Sequence, residues 1–372
     1  MSLALLTTVQ NSFSSEEFWY SLFLGFLPSA WDISTDVQFG SSQEEMGEEL
    51  TAGLCYMFIC LPLIIMLAMA MATTIQRVTS TLLNILLAVL LILLFIAITA
   101  AMCIVVGTNP TIFKYPAIIC SVFVLGTKMV AVVVHTQEVK DFSRKITMAE
   151  CTLESSAQLL LLLHIWLSGG QLYLGAIISS VIVIGKNSAE NILINGTVNK
   201  LAGKTLGQRV ALVASYTPVM ALNTLFRVGS SALILHPDLL LPLSPIYSMV
   251  LTWIYLALFL PLLFLLLTSL KPWVASLGKL TTMELGQALI NECSTVTVWG
   301  NLGREGSRGL QLGMATYHVL LNCSYITWQW FSYSTSVPGL TAFNNHIIFC
   351  QFIIGCGITS YILALLQLFL NI

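Results

Sequence analysis

Residues 81–106 read TLLNILLAVLLILLFIAITAAMCIVV, an unbroken apolar run with no Asp, Glu, Lys, Arg or His. An α-helix rises about 1.5 Å per residue, so about twenty such residues match the hydrocarbon thickness of a bilayer. Outward from this run the pattern repeats, and cutting the chain at polar or turn-forming residues gives candidate helices at 18–40, 50–72, 81–106, 114–135, 149–168, 172–195, 210–235, 244–270, 309–333 and 346–371. The short alternating strands a barrel would need are absent from the sequence. The expected fold is therefore all-α, a polytopic helical membrane protein with about ten membrane-embedded helices and one integral membrane domain over 1–372.

Composition agrees: 57% of the 372 residues are hydrophobic and 9% are charged, where a soluble domain carries roughly a quarter charged residues. The net charge of −2 leaves no basic field for nucleic acid. Nine cysteines occur without a CxxC pair, and most lie in or beside apolar runs, so they read as buried free thiols. The first basic residue is Arg77, so no cleavable signal is expected and the first span reads as a retained signal-anchor.

Lys and Arg sort by loop. They occupy 73–80, 136–148, 196–209 and 271–308, whereas 41–49, 107–113, 169–171, 236–243 and 334–345 carry none. The positive-inside rule then makes both termini cytoplasmic. On this topology neither sequon, at Asn195 or Asn322, is expected to carry glycan. Within the cytoplasmic loop 271–308, Thr281–Trp299 sets Leu285, Ala288, Leu289 and Val296 against Glu284 and Glu292. It reads as an interfacial or re-entrant helix, or equally as an ordinary loop helix packed on its own domain.

The informative residues are the charges inside the spans: Asp32 and Asp36, Lys128, Glu150 and Glu154, Lys186 and Glu190, and Arg227. Each costs roughly 2.5–3.5 kcal/mol near a helix centre, so they must be paired, hydrated or both. The pairs 32/36, 150/154 and 186/190 are spaced i,i+4, which puts both members on one helix face. Ser29, Gln158, Asn187 and Asn191 extend those faces, and Asn223, Ser230 and Ser231 flank Arg227. One reading is of packing ion pairs, with Lys186 and Glu190 satisfying each other. The other is a hydrophilic track, because five acids against three bases leave a surplus. Asp36, Glu150 and Lys128 can alternatively be assigned to the headgroup boundary. Span 309–333 holds His318, Asn322 and Gln329 but no Asp, Glu, Lys or Arg, and with 346–371 it reads as wall.

These residues resemble the XK-related family of membrane proteins. Trp31–Val37 (WDISTDV) is similar to that family's helix with two aspartates four apart, Glu154–Leu160 (ESSAQLL) to its Glu-Ser-x-Pro-Gln-Leu signature, and Phe226–Ala232 (FRVGSSA) to its Ser-Arg-bearing helix. Tyr317–Asn322 resembles its aromatic-then-Glu-Asn helix, with Ala157 departing from the family's Pro. Family members are phospholipid scramblases or their homologues, with eight full spans plus two partial helices, and some need a single-span partner subunit to reach the plasma membrane, so the resemblance implies scrambling and such a partner here. Several family scramblases are switched on when a caspase removes part of a cytoplasmic tail. Here the chain ends at Ile372, straight after its last candidate span, so caspase-independent activity is expected.

No Walker loop, HExxH, GxSxG or zinc-spaced Cys/His set is present, so neither an enzyme nor a cofactor or metal is expected. The expected function is an ATP-independent scramblase whose partners are membrane phospholipids. The alternatives are an ion channel or small-solute pathway, and a non-transporting structural subunit.

Overall fold

The computed structural model describes residues 15–75, 97–98, 100–134, 136–167, 170–195, 200–235 and 340–370, with scattered positions between 316 and 327. The candidate span 244–270, the loop 271–308 with its helix, and most of 81–106 and 309–333 lie outside the described residues. All regular structure among the described residues is helical.

The chain enters at α1 (Glu16–Tyr20), where Ser15 caps the first turn by accepting from the Phe18 amide at 3.1 Å. A π-helical turn, Ser21–Phe26, carries the chain without a break into α2 (Leu27–Glu45). A tight turn comes next, with Gly47 at φ +80°, a conformation that favours glycine. Then come α3 (Glu49–Ile75), a 3₁₀ turn at Pro110–Phe113 and α4 (Lys114–Val133). Next, α5 (Gln137–Ala149) runs through a second π-helical stretch, Glu150–Ser155, into α6 (Ser156–Leu167). The described chain continues with α7 (Leu174–Asn195), α8 (Leu206–Leu235) and α9 (Leu340–Leu370).

Three boundaries correct the sequence expectation. The segment 136–148, read as a loop because of its charges, is largely helix α5, which buries Ile146, Met148 and Ala149. The helices expected to begin at 210 and 346 begin at Leu206 and Leu340.

Four helices among the described residues are long and apolar enough to cross a membrane: Pro110–Val133, Phe142–Leu167, Leu174–Ile194 and His346–Gln367. The number expected from sequence, ten, is thus not reached within them. Residues 16–45 do not qualify by composition, because their inner face is polar. Their outer face is not: Trp19, Phe23, Leu27 and Trp31 recur every fourth residue and are exposed. The same outward greasiness runs along α4 (Ile118, Ile119, Val122, Phe123) and α9 (Ile348, Phe352, Ile358, Ile362). Contiguous apolar surface of this extent is unsuited to water and suited to acyl chains.

Inside, α8 packs along α7 and α9, α2 against α3 and α7, and α4 against α3. Small residues set the closest approaches, as expected where helices pack without a hydrophobic driving force between them. A Cβ on Gly185 of α7 would stand 2.9 Å from Ala221 of α8, and one on Gly357 of α9 would stand 2.5 Å from the Phe226 ring.

Among the described residues, two of the basic segments, 136–148 and 196–209, meet at one end. Glu17 joins Lys140 of the 136–148 segment to Arg209 of the 196–209 segment. At the opposite end Glu44 meets Lys114 at 2.6 Å, and Gln43 donates to Tyr173 at 2.6 Å. Lys114 belongs to the first turn of α4, just beyond a segment free of Lys and Arg, and Glu44 neutralises it. Glu17 and Glu44 are 27 positions apart in a continuous helical run. At ~1.5 Å per residue this is roughly 40 Å, the thickness of a bilayer with its headgroup layers.

Candidate functional site: a buried charged column

Asp32 and Asp36 of α2 both point inward and are 4% and 1% exposed. Asp32 is held by hydroxyls: Ser155 donates to Oδ2 at 2.9 Å and Ser180 to Oδ1 at 3.3 Å. Asp36, one turn along, has no hydrogen-bond partner for either carboxylate oxygen among the described residues.

Glu150 and Glu154 lie in the π-helical stretch between α5 and α6, and both are buried. A π turn holds about one residue more than an α turn, and such turns recur at functional sites. Lys128 of α4 donates to Ser29 at 2.5 Å and forms an ion pair with Glu150 Oε2. Asp36, Glu150 and Lys128, alternatively assigned to the headgroup boundary, are at most 5% exposed and so are buried within the protein. Glu154 feels the fields of Glu150, Asp36, Asp32 and Lys128, and its Oε1 has no partner among the described residues. Gln158, one turn on, donates to the Cys55 carbonyl at 2.9 Å, while its own Oε1 is unpartnered among the described residues. The Cys55 thiol donates to the Asp36 carbonyl at 3.2 Å. Four carboxyls and one ammonium thus share one buried region, with four open oxygens among the described residues: both of Asp36 and one each of Glu154 and Gln158.

Lys186 and Glu190 of α7 meet at 2.9 Å, as their spacing predicted. Lys186 also donates to Asn187 at 2.7 Å, and Tyr20 donates to Glu190 at 3.2 Å. Arg227 of α8 is buried and donates from Nε to Asn223, one turn earlier, at 3.2 Å.

A cavity of about 430 Å³ opens beside these groups, lined among others by Glu17, Lys128, Lys140, Arg144, Lys186, Glu190 and Arg209. Lys128 is common to this cavity and to the acid cluster. Burial alone would raise the Glu17 carboxyl, but hydrogen bonds from Arg209 and Lys140 outweigh it and hold it below the ordinary carboxylate value. Arg209 in turn lies over the Tyr20 ring, 5.8 Å from its centroid.

The structure brings together Asp32, Asp36, Glu150, Glu154 and Gln158, with Lys128 at their edge. Lys186 and Glu190 stand on the cavity wall. Sequence reasoning missed Ser155 and Ser180, which hold Asp32, and Glu17, which bridges two basic segments. Serines have no sequence signal separating a carboxylate clamp from helix packing, whereas Glu17 had one: it is an acid immediately before a span. The described cysteines are free thiols, and six of them are buried as expected, whereas Cys323 is half-buried and Cys103 exposed. Among the described residues no group of three or more His, Cys, Asp or Glu is arranged to hold a metal ion.

Comparison of the chain with protein-family models, curated proteins and solved structures finds no match.

Proposed function

We propose that the protein is a phospholipid scramblase, moving lipid headgroups without ATP along the buried charged column while acyl chains stay against its apolar outer faces. One observation carries this reading: the column is graded, with bases around the cavity at the Glu17 end and acids deeper in. A zwitterionic headgroup carries a phosphate for the first and an ammonium for the second, so both regions act on one substrate. The formal surplus supports it too. Asp32, Asp36, Glu150 and Glu154 face one ammonium, Lys128, and a passing cationic headgroup amine offsets part of that excess.

The clustering of basic segments at the Glu17 end supports cytoplasmic termini. The plasma membrane, and a single-span partner subunit, rest on the resemblance to XK-related proteins alone. A second reading, a cation pathway, is favoured by Asp36 and Glu154, whose open carboxylate oxygens suit a small cation as well as an amine.

The test is reconstitution of the purified chain into liposomes with fluorescent phospholipids, with and without calcium, beside planar-bilayer current recording. Scrambling requires inner-leaflet dye to become accessible to an external quencher. Current without lipid movement selects the cation pathway, and neither activity leaves a structural subunit.

A further inference from the structure

The open oxygens of Asp36, Glu154 and Gln158 are all hydrogen-bond acceptors, and the three side chains are tied to one another. Glu154 and Gln158 lie about one turn apart in the helical run from Glu150 to Leu167. Cys55 of α3 links Asp36 to Gln158, because its thiol donates to the Asp36 carbonyl at 3.2 Å while its own carbonyl accepts from the Gln158 amide at 2.9 Å. Glu154 lies in the field of Asp36. The Gln158 oxygen is the most telling of the set. A buried carboxylate can relieve an open oxygen by taking up a proton, whereas an amide oxygen needs a donor brought to it. Gln158 is fully buried and its Oε1 has no such donor among the described residues. A buried acceptor left open costs its whole desolvation, so this cluster is completed by a ligand that carries donors.

We infer that Asp36, Glu154 and Gln158 form a binding site for a primary ammonium group, either the headgroup of phosphatidylethanolamine or phosphatidylserine or a free amine such as ethanolamine, and that the site discriminates against choline. A primary ammonium has three N–H donors, enough for one to each of the three side chains. The trimethylammonium of choline has the same charge and no N–H, so it leaves the oxygens open; proteins hold such groups on aromatic faces instead. A site built to hydrogen-bond an N–H rejects the analogue that lacks it, because its own buried polar groups then stay unpaired. The inference rests on the scramblase reading for its lipid substrate and deepens it by naming the lipid class that the column holds. Binding is measurable without flux, and the two can therefore fail separately.

The experiment is calorimetric titration of the full chain in maltoside micelles, with empty micelles as reference. The probes are short-chain phosphatidylethanolamine, its N-methyl and N,N-dimethyl forms, and short-chain phosphatidylcholine. Charge is constant along this series and only the N–H donors are lost. Affinity should fall with each methyl and by about tenfold over the whole series. Asp36→Asn replaces one open oxygen by an amide donor of the same shape, and it should shrink that difference to about threefold. A melting curve of the variant shows that the loss is not one of folding. Ethanolamine binding as tightly as phosphatidylethanolamine supports the site and assigns it to free amines, and weaker binding assigns it to lipid. Equal affinity along the series, no detectable binding of any probe, or an undiminished preference in Asp36→Asn overturns the inference. Liposomes made from the same preparation separate the two readings. A binding preference without lipid movement leaves this site standing and removes the scramblase reading, and lipid movement with equal affinity along the series does the reverse.

Discussion

Lys128 and Glu150 form an ion pair between α4 and the π-helical stretch before α6, and their side chains are only 3% and 7% exposed. Ser29 of α2 accepts from the same ammonium, so one lysine ties three helical elements. Removing either partner leaves a buried charge without its counterion. Lys128→Ala and Glu150→Ala should each cost about 3–5 kcal/mol, whereas Lys128→Met combined with Glu150→Leu should recover most of it. Thermal unfolding in detergent reads this directly, and a double variant as unstable as the singles would assign the cost to packing.

Asp36 behaves in the opposite sense. Its carboxylate is buried and has no hydrogen-bond partner among the described residues, so the neutral, isosteric Asp36→Asn should raise the melting temperature by a few degrees, corresponding to about 1 kcal/mol. The same change should slow lipid movement in liposomes. Stabilisation with unaltered flux would remove Asp36 from the pathway.

The Glu17 bridge makes stability depend on pH. The carboxyl is held below its ordinary value by Arg209 and Lys140, so its contribution is complete above the ordinary carboxylate range and is lost as pH falls through the lower folded value. Melting curves of the protein and of Glu17→Gln should therefore differ at pH 7 and converge in acid. The gap should also narrow in high salt, because the bridge is partly exposed.

Gly185 fixes the spacing of α7 and α8. A Cβ there meets Ala221 at 2.9 Å, including its backbone nitrogen, which cannot swing aside. Gly185→Ala should cost about 1–3 kcal/mol and Gly185→Leu should prevent correct assembly, read by melting and by size-exclusion profile. Gly126, with nothing near its would-be Cβ, provides the control: Gly126→Ala should be tolerated.

Local relationships were legible in the sequence, and relationships between helices were not. The i,i+4 spacing of Lys186 and Glu190 sufficed to predict their contact, because helix geometry alone brings them together. Lys128 and Glu150 are 22 positions apart on different helices, and only packing joins them. Their depth was equally hidden, since a lysine five residues from a helix end reads the same whether it snorkels or turns inward. Loop charge grouped 136–148 with 196–209, and among the described residues Glu17 joins those two. The same loop charge misled at 136–148, where the charged residues of α5 concealed the buried Ile146, Met148 and Ala149.

The two wide turns, Ser21–Phe26 and Glu150–Ser155, also determine the angular phase of α2 and α6, the helices they lead into. Each accommodates an additional residue, and tightening either to ordinary winding would rotate the downstream helix by roughly 100°. For the second turn, that rotation would swing Gln158 from the Cys55 carbonyl and present leucines to the acids in its place. For the first, it would turn Asp32 and Asp36 outward and the Trp31 face inward. The inward setting of Asp32, Asp36 and Gln158 thus depends on two local departures from regular pitch, each no longer than six residues.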